Sequence, residues 1–329
     1  MDARVSVVIP NYNGKDYLAD CVDSLMKQSV RRFEIIIVDD ASTDGSMQEI
    51  MERFPAKGAW PEISYIRHFQ NRGFCASVND GIAAAKAEYV ILLNNDTVAD
   101  TDFVKNLWNA IRRSDDIFSV SSRMISLKDK EKLDDCGDLY CALGWAFAPA
   151  RDKSTDSYKK RAEVFAACGG ASIYRKKALM ELGGFDEAHF AYLEDMDVGY
   201  RAKLRGCRNM YEPKAVVWHA GSATSGSRYN KFKVKISARN NIYMISKNMP
   251  WWQILINLPF LLAGTVIKQV FFIKKKLGRT YLAGVLEGIR LSLSEGAKER
   301  RRLLKEVPAG RIWKLEGELL LNMLRRITG

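Results

Sequence analysis

Four short runs rich in Val, Ile and Leu constrain this chain more than anything else in it: Val5 to Ile9, Phe33 to Val38, Ile63 to Arg67 and Tyr89 to Leu93. Each is separated from the next by a stretch long enough for a helix. Runs of this length suit strands buried on both faces, and strands alternating with helices predict right-handed βαβ units and a parallel, doubly wound sheet. The spacing predicts helices from Lys15 to Gln28, from about Asp44 or Ser46 to Arg53, and from Asn71 to about Lys86. The expected class is α/β, a mainly parallel, Rossmann-like sheet flanked by helices.

Each run ends in polar residues. Pro10 to Asn13, Asp39 with Asp40, Asn71 with Arg72, and Asn94 to Asp96 would all face the crevice above the carboxyl ends of the strands, where open α/β sheets place their ligands. Acidic groups for a base and ribose, a cation and a metal-binding carboxylate suit a nucleotide diphosphate. No GxGxxG follows the first run and no GxxxxGK[ST] occurs, which argues against a dinucleotide dehydrogenase or a P-loop enzyme. The diphosphate must then be neutralised by metal and side chains. Taken alone, Asn94 to Asp96 also reads as a polar turn, with Asp96 or Thr97 opening the next helix.

Further along, the pattern predicts a helix over Thr101 to Arg113, a strand around Phe118 to Ile125 and a strand from Val164 to Tyr174 broken at Gly169 and Gly170. Asp129 to Asp156 carries no readable order. A helix over Lys176 to Leu182 should end at Gly183 and Gly184. Glu194, Asp195 and Asp197 then place three carboxylates within four residues, which the first turn of a helix tolerates. One reading makes Glu194 or Asp195 a cap and pairs Asp197 with Arg201; the other makes Asp195 a general base. His219 closes the run Ala215 to His219, either as a structural residue or as a neutral imidazole ligand to a metal.

The net charge of +12 is unevenly placed: residues 228–329 hold 21 Lys and Arg against 6 Glu and no Asp, whereas residues 1–227 are slightly acidic. This asymmetry points to an anionic partner for the tail, a membrane surface or nucleic acid. Within the tail, Tyr229 to Asn248 reads as a basic helix and Pro250 to Ile273 as a long apolar stretch broken by Gln253, Asn257, Pro259, Lys268 and Gln269. Those interruptions, with Trp251, Trp252 and flanking lysines, favour helices lying in the bilayer interface. Helices near Tyr281 to Leu304 and Arg311 to Ile327 suit either membrane contact or a packing and homo-oligomer interface. Six cysteines without CxxC spacing read as reduced thiols, and MDARVSVVIP lacks a signal-peptide pattern, so the expectation is a cytoplasmic protein.

The runs VSVVIPNYNG, IIIVDDASTDGS, NRGFCASVNDGI, YVILLNNDT, GGASIYR, GGFDEAHFAYLEDMDVGYR and VVWHAGSA, in this order, closely resemble family 2 of the inverting glycosyltransferases, with the GT-A fold. Within that family they look most like bacterial rhamnosyltransferase-type enzymes of surface polysaccharide synthesis. The resemblance implies a catalytic domain at 1–227 and a helical, membrane-associating or oligomerising extension at 228–329. It also implies site roles. Asp39 resembles the aspartate on the pyrimidine base, with Pro10, Tyr12, Asp40, Asn94 and Asn95 lining the nucleotide pocket and Arg72 as the basic residue near it. Asp96 matches the last acid of the DxD motif. The first acid is Asn94 here, leaving Asp96, His219 and the diphosphate to hold Mg²⁺ or Mn²⁺. Asp195 resembles the catalytic base, paired with Glu194. Implied partners are a dTDP-rhamnose or UDP-sugar donor and a saccharide acceptor, such as one linked to polyprenyl diphosphate, at the inner face of the cell membrane; nucleic acid is not implied. Two other classes compete: a sugar-phosphate nucleotidylyltransferase, whose glycine-rich loop PNYNG does not match, and a basic-tailed nucleic-acid or membrane binding protein.

Overall fold

The computed structural model describes residues 4–55, 61–221, 229–296 and 301–328. The proposed boundary at 227 and 228 lies outside the described residues. Strands β1 (Val5–Asn11), β2 (Phe33–Asp39), β3 (Glu62–Arg67) and β4 (Tyr89–Leu93) form where the apolar runs place them, all parallel, in the order β4-β1-β2-β3. The crossovers are α1 (Leu18–Met26), α2 (Ser46–Arg53) and α3 (Phe74–Ala84). The third helix starts later than Asn71 because Gly73, at φ +88°, breaks the turn and donates its N–H to Asn71 Oδ1 at 3.0 Å.

Successive strand residues point to opposite faces, so each strand feeds two cores. Val7, Ile9, Ile35, Ile37, Ile91 and Leu93 pack with Leu18, Cys21 and Leu25 of α1. Val8, Ile36, Val38, Val90 and Leu92 pack with Cys75, Val78 and Ile82 of α3. Both layers are fully sequestered from solvent, which is what makes the crevice at the strand ends a rigid rim.

The sheet continues beyond β4 with mixed direction. After the short β5 (Thr97–Ala99) and helix α4 (Phe103–Ile111) comes β6 (Ile117–Ser126), then β7 (Leu133–Asp135), the hairpin β8 (Leu139–Cys141) with β9 (Trp145–Phe147), and β10 (Ala162–Val164). Strand β11 (Ala171–Arg175) inserts antiparallel between β4 and β6. The strand expected from Val164 to Tyr174, broken at Gly169 and Gly170, is two strands with different neighbours: β10 ends at Val164 and β11 starts at Ala171, just past the glycine pair. The chain turns from one to the other across Cys168, Gly169 and Gly170. Helices α5 (Lys176–Glu181) and α6 (Glu194–Leu204) precede β12 (Arg208–His219), which runs parallel to β6.

The basic extension is α7 (Lys231–Asn248), α8 (Trp251–Lys274), α9 (Gly278–Ser292) and α10 (Ala309–Thr328). Asn230 caps α7, its side chain accepting from Lys233 N at 2.9 Å. The helix expected over Tyr281 to Leu304 stops at Ser292, and its stretch 297–300 lies outside the described residues. Met244, Ile312, Leu315 and Leu319 of the extension join Tyr140, Phe165, Met196 and Tyr200 in one apolar cluster. The extension thus shares a core with the sheet's flank.

Candidate active site

The strand ends meet in a hydrogen-bonded floor. Asn11, last residue of β1, donates to Asp39 Oδ1 at 3.0 Å, Ser42 Oγ at 3.2 Å and Ser46 Oγ at 3.1 Å, and accepts from Asn95 Nδ2 at 2.7 Å. A Cβ on Gly14 would lie 2.1 Å from Asn95 Nδ2, so the glycine of PNYNG is what lets this loop settle on the end of β4. Asp39 is fully buried, with Arg67 Nε 3.6 Å from its second oxygen. Pro10 sits in register with Val38, and Tyr12 is exposed at the rim.

Asp40 latches the loop after β3. It accepts from the backbone N–H of Arg72 and Gly73, each at 2.8 Å, and lies 2.7 Å from His68 Nδ1, whose Nε2 meets Asp80 at 2.9 Å. The Arg72 guanidinium is held by Asp80 at 2.6 Å and Glu187 at 3.6 Å. It stays partly exposed beside the floor.

Asn94 anchors β4 to the glycine break, its N–H donating to Gly170 O at 2.8 Å. A Cβ on Gly170 would lie 3.0 Å from Asn94 Nδ2, and one on Gly169 would lie 3.5 Å from Asp195 Cβ. The glycine pair thus brings the end of β4 and the start of α6 to one place. Two residues beyond Asn94, Asp96 Oδ1 lies 3.1 Å from His219 Nε2, and His219 Nδ1 lies 2.6 Å from Asp134 Oδ2. Burial opposes a charged imidazole here, but its hydrogen bonds to the Asp134 and Asp96 carboxylates outweigh it and raise His219 to about 9. Once the His219 ring gives up its Nε2 proton, that nitrogen and Asp96 Oδ1, with Asp134 orienting the other ring nitrogen, form a donor set that fits Mg²⁺ or Mn²⁺.

At the start of α6 neither Glu194 nor Asp195 caps the helix. Leu193, at φ +65°, holds the cap position, following Phe190 at +63° and Tyr192 at +69°. Three non-glycine residues in this left-handed region store strain, and the surrounding structure must hold them there. Helix α7 does so: Asn240 Nδ2 donates to the carbonyls of His189, Ala191 and Tyr192 at 2.9, 2.8 and 2.7 Å, and Arg239 donates to Ala188 and His189. Asp195 accepts from Gly169 N at 3.0 Å and Met196 N at 2.7 Å. Burial still raises its pKa against those bonds. Burial, with the Asp195 charge, pushes Glu194 up to about 8. Asp197 does pair with Arg201, at 2.7 Å, as the i+4 spacing predicts.

A model of glycosyl transferase family 2 matches residues 6–183, more than half of the chain. The chain belongs to glycosyl transferase family 2. Among relatives of this chain, GlyG of Streptococcus pneumoniae is 34% identical over 116 residues, 35% of this chain and 37% of that protein. The chain thus spans little more than a third of GlyG. An N-acetylglucosaminyl-diphospho-decaprenol L-rhamnosyltransferase of Mycobacterium tuberculosis is 25% identical over 276 residues, covering 75% of this chain and 86% of that protein. Among solved structures, the mannosyltransferase PcManGT of Pyrobaculum calidifontis, in complex with GDP-Man and Mn²⁺, superposes with a TM-score of 0.55 at 16% identity, over 95% of this chain and 88% of that one. The architecture is the GT-A fold.

Several residues of the candidate site escaped the sequence. His68 carried no motif, Asp80 lay within NRGFCASVNDGI without an assigned role, and Asp134 lay in the stretch without readable order. That stretch also brings Asp135 and Asp138 beside Cys168, their ligand atoms within 4.8 Å of one another. Burial pushes Asp135 up to about 7, and burial with the Asp135 charge raises Asp138 further. The run DDCGD, four residues around a glycine with three acids, was the one signal available. Asn240 and Arg239 had none.

Proposed function

We propose that this chain is an inverting glycosyltransferase. It moves a sugar from a nucleotide diphosphate donor, dTDP-rhamnose in preference to a UDP-sugar, to a saccharide carried on a lipid such as polyprenyl diphosphate. The work serves surface polysaccharide or O-antigen synthesis at the inner face of the cell membrane, with residues 1–227 as catalytic unit and 228–329 as its extension. The observation that carries the reading is the glycine pair Gly169–Gly170, which touches Asp195 on one side and Asn94 on the other. It sets a half-buried carboxylate beside the strand end from which a nucleotide diphosphate would be held. The preference for rhamnose rests on the mycobacterial relative.

In this mechanism Asp39 and the Asn11–Asn95 floor receive the base and ribose, with Pro10, Tyr12, Asp40 and Asn94 shaping the pocket. Arg72 faces the diphosphate. Asp96 and His219 would hold Mg²⁺ or Mn²⁺, which when bound offsets charge on the leaving diphosphate. Asp195 takes the proton of the acceptor hydroxyl as that oxygen attacks the anomeric carbon from the face opposite the nucleotide. The C–O bond to the diphosphate breaks, and the configuration inverts. The raised pKa of Asp195 makes it a stronger base than an exposed aspartate. Glu194, protonated at neutral pH, spares the pair a second negative charge.

The test is nucleotide release from dTDP-rhamnose, UDP-glucose, UDP-galactose, UDP-N-acetylglucosamine and GDP-mannose with Mg²⁺, Mn²⁺ or EDTA, in wild type and Asp195→Asn. The expected result is turnover of one donor, lost with EDTA and reduced about 10² to 10⁴-fold in the variant. Absence of turnover and of donor binding, even with membrane extract supplying acceptor, refutes the reading.

A further inference from the structure

Among the described residues, α8 alone is long and apolar enough to cross a bilayer. We propose that it does not cross, and that α8 lies in the plane of an anionic lipid leaflet with the outward side chains of α9 and α10. The inference builds on the membrane-surface reading above and deepens it; the transfer chemistry is tested separately.

One side of α8 is occupied by polar contacts along its length. Gln253 and Asn257 are fully buried and donate to Glu316 Oε2 of α10 at 2.7 and 2.8 Å. A Cβ on Gly264 would lie 2.1 Å from Leu143 O, and Gly264 O accepts from Trp145 Nε1 at 3.1 Å, so the β8–β9 hairpin presses directly on the helix backbone. Lys268 turns onto the Trp145 ring, 5.7 Å from its centroid. A spanning α8 would have to leave these partners and carry two amides and an ammonium into hydrocarbon, while Glu316 lost both its donors. Hydrocarbon offers such groups no replacement partner.

The opposite side is bare. Trp251, Leu255, Leu262, Val266 and Ile273 are 57–73% exposed, a single stripe at helical spacing from the first turn of α8 to the last. A 24-residue helix is about 36 Å long. An apolar stripe over that whole length matches a helix lying flat, with its face sunk about 5–10 Å into the headgroup boundary. Helix α9, joined to α8 by the stacked Phe272 and Tyr281 rings, adds Leu282, Leu286 and Ile289. Helix α10, joined by Trp252 and Trp313, adds Leu321, Leu324 and Ile327. An apolar surface of this extent marks an interaction site.

Charge selects the occupant. Lys274, Lys275, Lys276 and Arg279 stand exposed at the α8–α9 junction, and Arg325 and Arg326 at the end of α10. Basic groups flanking an apolar stripe complement anionic headgroups. The face is also continuous with the candidate active site. Tyr229 packs edge-on to Phe271 and Phe272, and Phe232, at the start of α7, packs on Phe190 and Tyr192, which lead into Glu194 and Asp195. A lipid-borne acceptor held in that leaflet would have its saccharide beside the base.

The experiment uses the full chain with phosphatidylcholine vesicles, with and without phosphatidylglycerol. Leu255→Cys, Leu262→Cys and Ile273→Cys each carry a fluorophore quenched by nitroxide lipids of known depth. The expected result is flotation with anionic vesicles, weakened several-fold by salt and by replacing Lys274, Lys275 and Lys276 with glutamine, with all three probes at one shallow depth. A probe at 262 deeper than those at 255 and 273 by on the order of 10 Å would mean a spanning helix and overturn the inference. So would absence of flotation, including the case in which sedimentation shows a second copy covering the face. Donor hydrolysis on the same samples without vesicles reports on the chemistry alone, so failure of one reading is distinguishable from failure of the other.

Discussion

Asp197 is where the basic extension grips the helix that carries the candidate base, and Asp197→Asn measures that grip. Its carboxylate is fully buried. It accepts from Arg201 Nε at 2.9 Å and Nη2 at 2.7 Å, from Lys247 Nζ at 2.9 Å and from Asn248 Nδ2 at 2.8 Å. The Arg201 and Lys247 side chains are only 5% and 4% exposed. Asparagine preserves the shape but removes the charge, leaving two buried cations with one nearby carboxylate, Asp186, 2.8 Å from Lys247. Breaking a buried pair from one side costs about 3–5 kcal/mol. At about 2–4 °C per kcal/mol for larger domains, the melting temperature should fall by roughly 6–20 °C. Burial works against the Asp197 charge, but Arg201 and Lys247 outweigh it and hold the group well below the usual carboxylate range. A folded pKa below the unfolded value of about 3.9 means that its contribution is complete above that pH and fades as pH falls below it. Urea titrations followed by circular dichroism should therefore show wild type losing an increment below about pH 4 that the variant never had. In a double-mutant cycle Lys247→Met should recover part of the loss, because the stranded ammonium is removed with it. A loss under about 1 kcal/mol at neutral pH would refute the argument, since that is the scale of an exposed pair.

Four further outcomes follow from the same geometry. His189 is fully buried with neither ring nitrogen bonded, and burial lowers its pKa to about 4; its folded value lies below the unfolded one, so wild type should lose roughly 3 kcal/mol as pH falls from 6.5 to 4, and His189→Phe should lack that slope in pH-dependent urea titrations. Asp134→Asn removes the carboxylate that orients His219 and should weaken Mn²⁺ binding about 10 to 100-fold by calorimetry, with nucleotide affinity measured in EDTA unchanged. Asn240→Ala frees three carbonyls of the strained loop and should lower kcat on the donor that turns over while leaving donor KM near wild type; equal effects on both would refute its positioning role. Gly264→Ala forces a methyl onto Leu143 O and should cost about 1–3 kcal/mol in thermal stability, by prising α8 from the hairpin.

How much was legible depended on how local each signal was. The strand Tyr89 to Leu93 has the bounds its apolar run predicts, and the floor built by Asn11, Asp39 and Asn95 follows from polar residues at strand ends. Asp197 and Arg201 meet because an i+4 pair faces itself on any helix. The reading of Val164 to Tyr174 placed the break at Gly169 and Gly170 correctly but not the pairing, because strand propensity is shared by both pieces and does not say which neighbour each will pair with.

The sequence by itself determined the alternation of strands and helices, the crevice they open, and the family, since each depends on side-chain period and short ordered motifs that act within a few residues. Only the tertiary structure decided that β11 enters antiparallel between β4 and β6, that Asp134 reaches His219 across 85 residues, and that Asn240 holds the loop before Glu194. These contacts join segments whose approach is set by the packing of the whole sheet and its extension. No local periodicity encodes them, because a buried hydrogen bond needs only a partner in reach, and which partner comes within reach is a property of the closed fold.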